Sequence, residues 1–466
     1  MKNYLFILGL VGTALFTACS TADDLISEDP NGTPPDDQAT ETALIAEASQ
    51  NSDVSIALVA GQSRGYTRAP IDPTDVVDGY GKFHTEDGRY LGVFCLATGK
   101  QTGVSYIPSS IKNCDWKESA DDDLVVRLCN VPAKVSADGK ITFMDPDELF
   151  DVSPEEKAHY WYYPMASWLR YNFYAYYPRQ DDVDDEGHQT LSFTSNQAVE
   201  KYYTIDGSQD IIWGRSYPWN PETSEEATGH DPYCAKYFRW REENLEAGKT
   251  IADYFPVIKF EHKLVLFNFS VKANDAAVTA AGAKVTDMYI SNAIYKLSLV
   301  VANKKDTLTN HQNGKLGYIK RDGGKLPQMT RLDIKETSSI YNNRFDGTDA
   351  KAMDVTALTE ENAQEVGYLM LPSPKVAEDI LPDLKYRLVI NFVYAGQPNV
   401  ADIEMDPPLK PKENPNDPDE YGFEEGKKYS ILVNIKSPLE ISAKAVLQEW
   451  DDSPAPITYN SDNSGS

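Results

Sequence analysis

Residues 257–271 read VIKFEHKLVLFNFSV, and the fold class turns on them. Ile258, Phe260, His262, Leu264 and Leu266 fall on every second position, the period of a strand, whereas a helix repeats at about 3.6. The run follows Pro256, and before it the sequence from Pro218 to Lys249 is polar and irregular. That stretch reads as a long loop, and the apolar run as the opening of a second unit.

Outward from this point the pattern stays β. Strands are expected at Tyr90–Leu96, Leu124–Cys129, Tyr171–Tyr177 and Leu191–Phe193 in the first half. In the second half they are expected at Met288–Ile290, Ala293–Val301, Gly367–Leu371 and Tyr386–Tyr394. A final pair, Tyr429–Ile435 and Ile441–Leu447, flanks a turn at Ser437-Pro438. Asp87-Gly88, Asp138-Gly139 and Asp206-Gly207 are tight-turn signals. Glu156–Leu169 reads as a short helix or an aromatic-rich loop, and Pro407–Asp419 as a solvated loop. Short strands punctuated by turns predict an all-β chain of tandem β-sandwiches, and 466 residues suit two or three domains, here read as two. The expected bounds are 69–255 and 256–450, with a tail at 451–466. No solenoid-like repeat is present.

The start of the chain reads as an export signal. Lys2 precedes an apolar run from Tyr4 to Phe16, too short to span a bilayer stably. Phe16-Thr17-Ala18-Cys19 resembles the lipobox of bacterial lipoproteins, which makes residues 1–19 a signal peptide and Cys19 the lipidated residue. A plain secretory signal cut at a small residue is the alternative. Residues 20–68 read as an acidic tether, rich in Asp, Glu, Pro, Thr and Ala, that ends in a short strand. In that strand Val54, Ile56 and Leu58 alternate with Ser55, Ala57 and Val59. Arg64 is the first basic residue after Cys19, and Arg68 follows it. A trypsin-like protease therefore has no earlier place to cut.

Composition excludes several roles. Acidic residues outnumber basic ones 72 to 44, giving a formal charge of −28, so nucleic acids and anionic membrane faces are repelled. Asp182, Asp184 and Glu186 imitate a calcium loop, but Phe193 stands where a bidentate Glu is required. The six histidines form no metal-binding pair, and His262 reads as a buried, satisfied side chain. No nucleophile elbow, phosphate loop or dinucleotide signature occurs, so neither an enzyme nor a cofactor is expected. Cys95, Cys114, Cys129 and Cys234 lack zinc-type spacing and leave one or two disulfides or buried thiols open. Asp306-Thr307-Leu308 resembles a bacterial O-glycan acceptor triplet. The aromatics around Trp161 and Trp168 support an alternative function, a glycan-binding surface lipoprotein that stacks sugars on those rings.

Several segments in order resemble the fimbrillin family, the subunits of type V pili. These are VSIALVAGQSRGYTRA (54–69), YNFYAYYP (171–178), DIIWG (210–214), IKFEHKLVLFNFSV (258–271), GYLMLP (367–372), the strand at 386–396, and GKKYSILVNIKSPLEISAKAVLQEW (426–450). The resemblance implies two tandem transthyretin-like β-sandwich domains and a shaft or tip subunit of a pilus. It implies export as an outer-membrane lipoprotein and cleavage by a processing protease after Arg68, with Arg64 the runner-up. The strand carrying Val54, Ile56 and Leu58 would then leave. Other pilin subunits would be the partners, filling the vacated groove by strand addition, and a host or bacterial surface would be the adhesion target. The donor segment would come from Ile441–Tyr459, beside or beyond the last strand, with Ile441, Ala443, Ala445 and Leu447 the candidate side chains, unless Ile441–Leu447 pairs only within its own sheet. About five apolar side chains at ~1.5–3 kcal/mol each amount to roughly 8–15 kcal/mol before ordering costs. Two departures from the family pattern are the long tether before Arg64 and Pro454 and Pro456 after Trp450.

Overall fold

The structure is a computed structural model. It describes residues 51–62, 90–97, 126–135, 139–144, 162–164, 171–179, 190–194, 198–216, 233–273, 276–303, 312–321, 324–336, 339–343, 352–356, 362–410, 420–437 and 440–448. Strands dominate them. The first are β1 (Asn51–Ser55), β2 (Leu58–Gln62), β3 (Leu91–Ala97), β4 (Val126–Val135), β5 (Lys140–Phe143) and β6 (Tyr162–Pro164). Next come β7 (Tyr171–Tyr177), β8 (Leu191–Thr194), β9 (Ala198–Thr204), β10 (Ile212–Ser216), β11 (Val257–His262) and β12 (Val265–Lys272). Then follow β13 (Lys284–Ile294), β14 (Lys296–Asn303), β15 (Leu316–Tyr318), β16 (Met329–Asp333), β17 (Lys335–Glu336) and β18 (Ser339–Asn343). The last are β19 (Met353–Asp354), β20 (Gln364–Leu371), β21 (Arg387–Tyr394), β22 (Gln397–Glu404), β23 (Lys428–Ser437) and β24 (Glu440–Gln448). Among the described residues two α-helices interrupt them, α1 (Ala235–Glu243) and α2 (Ala276–Ala280).

The first half closes on itself. Hydrogen bonds join β10, β11, β2, β5, β4, β3 and β7 into a barrel in that order. The sequence predicts a β-sandwich here, and the ladders of β2 to β5 and to β11 join its strands into a closed ring. Between β4 and β5, Gly139 of the expected Asp138-Gly139 turn has φ +79°, while Asp138 lies outside the described residues. The second half is two packed sheets. One runs β18-β17-β20-β12-β23-β24, and the other β16-β13-β21-β22, with β19 on β13. Phe267, Phe269, Ile290, Leu388, Ile431 and Val433 lie in the core between them.

A third core joins the halves, and β7 shows why. All seven of its residues are buried. Phe173, Ala175 and Tyr177 point into the barrel, while Tyr174 and Tyr176 point out of it. A strand has only two faces, so both must be covered. The outer face packs on a four-stranded sheet, β15-β14-β9-β8, and on Leu266, Tyr368 and Met370 behind the six-stranded sheet. Trp213 of β10 is central to the join: its Nε1–H donates to the Val301 carbonyl at 3.0 Å. A Cβ on Gly314 would come within 2.4 Å of its ring. Trp213→Phe keeps the apolar ring but orphans that carbonyl, so a loss of about 1–3 kcal/mol is expected. Thermal unfolding checks it, and an unshifted midpoint would show that the bond contributes nothing.

The run 257–271 is two strands, not one. β11 completes the barrel, whereas β12 pairs with β20 and β23 of the six-stranded sheet. The expected boundary at residue 256 therefore precedes a strand bonded into the first half. Lys263 and Leu264 make the crossing. Lys263 is buried, with Nζ 2.9 Å from Glu425 and 3.7 Å from Glu261, and its N–H donates to the Ile211 carbonyl. His262 is buried too, its Nδ1 bonded to the Asp210 carboxylate. These polar groups interrupt the ladder where the chain changes sheet.

Candidate functional site

Residues 58–62 supply the strand that closes the barrel, and the segment leading into them is built for the same face. Along 52–60 every second side chain turns inward. Ser52, Ile56, Leu58 and Ala60 are buried and Val54 is half-buried, whereas Asp53 and Ser55 are exposed. The chain holds this parity across a change of partner at Ile56-Ala57. Before the break, β1 pairs with β6, and the Ser52 hydroxyl donates to the Tyr163 carbonyl at 2.6 Å. After it, β2 lies antiparallel to β5, with Leu58 opposite Ile141. On its other side β2 runs parallel to β11, with Val59 opposite Val257 and Ala60 opposite Ile258. Two further bonds extend these ladders, Val59 N–H to the Pro256 carbonyl and Ala60 N–H to the Gly139 carbonyl.

This is a seat for a strand. It offers backbone hydrogen bonds on both flanks and apolar room for alternate side chains. Without 58–62 the other six barrel strands form an open sheet with β5 and β11 as its edges. Ile56 and Leu58 together contribute about 3–6 kcal/mol by burial. That is below the five-residue figure expected from sequence, so the two ladders carry a larger share of the hold.

A helix covers the start of the segment. The stretch 218–249 reads as a loop, yet α1 lies within it and packs against β1. Cys234, Ala235, Tyr237 and Phe238 are buried in the barrel core, and Phe238 stacks on Tyr163 with ring centroids 5.3 Å apart. On the outer side, Arg239 Nε and Nη2 donate to the Asp53 carboxylate at 3.0 and 2.5 Å. Those bonds and the adjacent positive charge hold the Asp53 carboxyl below its ordinary range. The pairing is therefore present at neutral pH and is lost as pH falls through that lowered value.

Sequence reasoning missed Ala60, which continues the alternation by one step, and α1 with Arg239. The signal for α1 is the apolar set Cys234, Ala235 and Phe238 at helical spacing, obscured by the charged residues between. Cys19, Arg64, Arg68, Trp161 and Trp168 lie outside the described residues, as do Cys114, Asp306–Leu308 and the tail 451–466. Cys95 and Cys234 are buried, and Cys129 is disulfide-bonded. Ile441, Ala443, Ala445 and Leu447 line one side of β24, partly buried against their own domain's core. Among the described residues β24 is an edge strand that pairs with β23 alone. The structure does not bring this segment near the seat of β2.

No protein-family model and no curated protein matches the chain. Among solved structures it is similar to a proposed cell adhesion protein from Bacteroides uniformis. That pair has 12% identity and a TM-score of 0.39, over 85% of this chain and 98% of that one. The C-terminally truncated tip fimbrial protein Mfa3 from Porphyromonas gingivalis gives 7% identity and 0.33, over 85% and 100%. The fimbrial anchor protein Mfa2 from the same organism gives 8% and 0.30, over 85% and 97%. Superpositions this loose carry no argument, and the functional reading rests on strand pairing within this chain.

Proposed function

We propose that the protein is a fimbrillin-type pilus subunit, shaft or tip, assembled at the cell surface by strand exchange. The chain is exported as an outer-membrane lipoprotein acylated at Cys19. A protease cuts after Arg68, or after Arg64, and the leading segment with Val54, Ile56 and Leu58 departs. A neighbouring subunit then fills the opened barrel, its donor drawn from Ile441, Ala443, Ala445 and Leu447. The two halves correspond to tandem units of transthyretin-like type, and the finished fibre serves adhesion to a host or bacterial surface.

One observation carries this reading: β2 is the strand whose ladders close the barrel, and it lies immediately before the two candidate arginines in sequence. A segment so placed blocks the groove until it is cut, which keeps an aggregation-prone edge covered. Donation by β24 costs the ladder to β23, so exchange requires that the seat on β11 and β5 repay that loss.

Trypsin treatment of the folded chain tests the proposal. Cutting at Arg64 or Arg68 should release the leading segment and convert monomer into high-molecular-weight, denaturant-resistant species. Resistance at both arginines, or clean loss of the segment with the protein remaining monomeric, overturns it.

A further inference from the structure

The leading segment is gripped at its exposed start as well as at its buried end. Arg239 presents two donors to Asp53, and the helix that carries it is rooted in the core through Tyr237 and Phe238. The cation is thus held in place, yet its side chain is 45% exposed and faces solvent beside the seat. Asp53 stands immediately before the alternation Val54, Ile56, Leu58 and Ala60. Glu440 stands in the same place before Ile441, Ala443, Ala445 and Leu447. The two segments share one pattern, an acid and then apolar residues at every second position.

We infer that Arg239 sets the register of whichever strand occupies the seat, pairing first with Asp53 and then, after exchange, with Glu440 from a second copy of this chain. The inference rests on the strand-exchange reading and names the feature that selects the donor. Backbone ladders do not distinguish a strand from the same strand slipped by two residues, because parity is unchanged. Apolar packing gives weak guidance here, since Ala443, Ala445 and Leu447 differ in size from Ile56, Leu58 and Ala60. A fixed cation does discriminate. A slip of two residues moves the acid by about 6.6–6.8 Å, beyond hydrogen-bond reach. Exposed ion pairs add little affinity, but they steer encounter and penalise wrong registers.

Charge reversal tests this in the full-length chain, activated with an arginine-specific protease that ignores lysine. In the uncut protein, Arg239→Glu should speed amide exchange in residues 51–55 severalfold while leaving the circular dichroism spectrum unchanged. After cutting, Arg239→Glu and Glu440→Lys should each slow polymer formation about tenfold. The double variant should return to within about twofold of the parent, because each copy then offers a reversed pair. Additive rather than compensating effects, or parental rates in either single variant, overturn the role of Arg239 and leave strand exchange standing. Failure of the cut parent chain to polymerise overturns both.

Discussion

Leu58→Asp is expected to unseat the leading segment and open the barrel. Leu58 is 1% exposed, opposite Ile141 on β5 and next to the residue facing Val257 on β11. The substitution forgoes about 1.5–3 kcal/mol of apolar burial and places a carboxylate among the apolar side chains of the barrel core, adding several kcal/mol more. Together these exceed what a five-residue strand can hold. Amide exchange should rise in 58–62 and in both partners, near Lys140-Ile141 and Val257–Phe260. The control is one residue away: Val59 is only half-buried, so Val59→Asp should cost about 1 kcal/mol or less. If the two variants behave alike, the alternation that defines the seat is wrong.

Gly367→Ala should be the most damaging single methyl in the second half. Gly367 sits in β20 at φ +153°, where the ladder to β12 shifts register between Phe269 and Ser270. A Cβ there would lie 1.8 Å from the Lys335 carbonyl oxygen, and that atom belongs to a paired strand rather than to a movable side-chain tip. The strained φ costs about 1–3 kcal/mol and the backbone shift a similar amount. A loss of about 3–5 kcal/mol follows, roughly 10 °C in the melting temperature of a unit this size. Gly396 is the comparison, since it has φ +74° with nothing within 4 Å of its Cβ position. Gly396→Ala therefore carries only the conformational penalty of the turn, and an equal loss at both sites would refute the clash at Lys335.

Much of the β architecture is legible because period-two alternation survives wherever a strand has one buried face. Tyr429–Ile435 and Ile441–Leu447 are read directly from sequence and lie within β23 and β24. β22 escapes notice because its residues are exposed or half-exposed in alternation and it carries Pro398, features suited to a sheet edge. Around the candidate site, the parity of Val54, Ile56 and Leu58 is visible in the chain, but their partners are not. Tyr163, α1 and β11 are far from them in sequence and meet them only in space.

What the sequence determined by itself is which side chains face inward, because that depends on a two-residue period and on water's rejection of apolar surface. What the tertiary structure alone decided is where those faces go. The unbroken alternation from Ile258 to Leu266 conceals a change of sheet at Lys263, and a single ladder pattern at 52–60 conceals a change of partner at Ile56-Ala57. Backbone hydrogen bonds are the same for every residue type but proline, so local pattern rarely records which strand a given strand will choose. That choice is made by the sum of distant contacts, here the barrel that β2 completes.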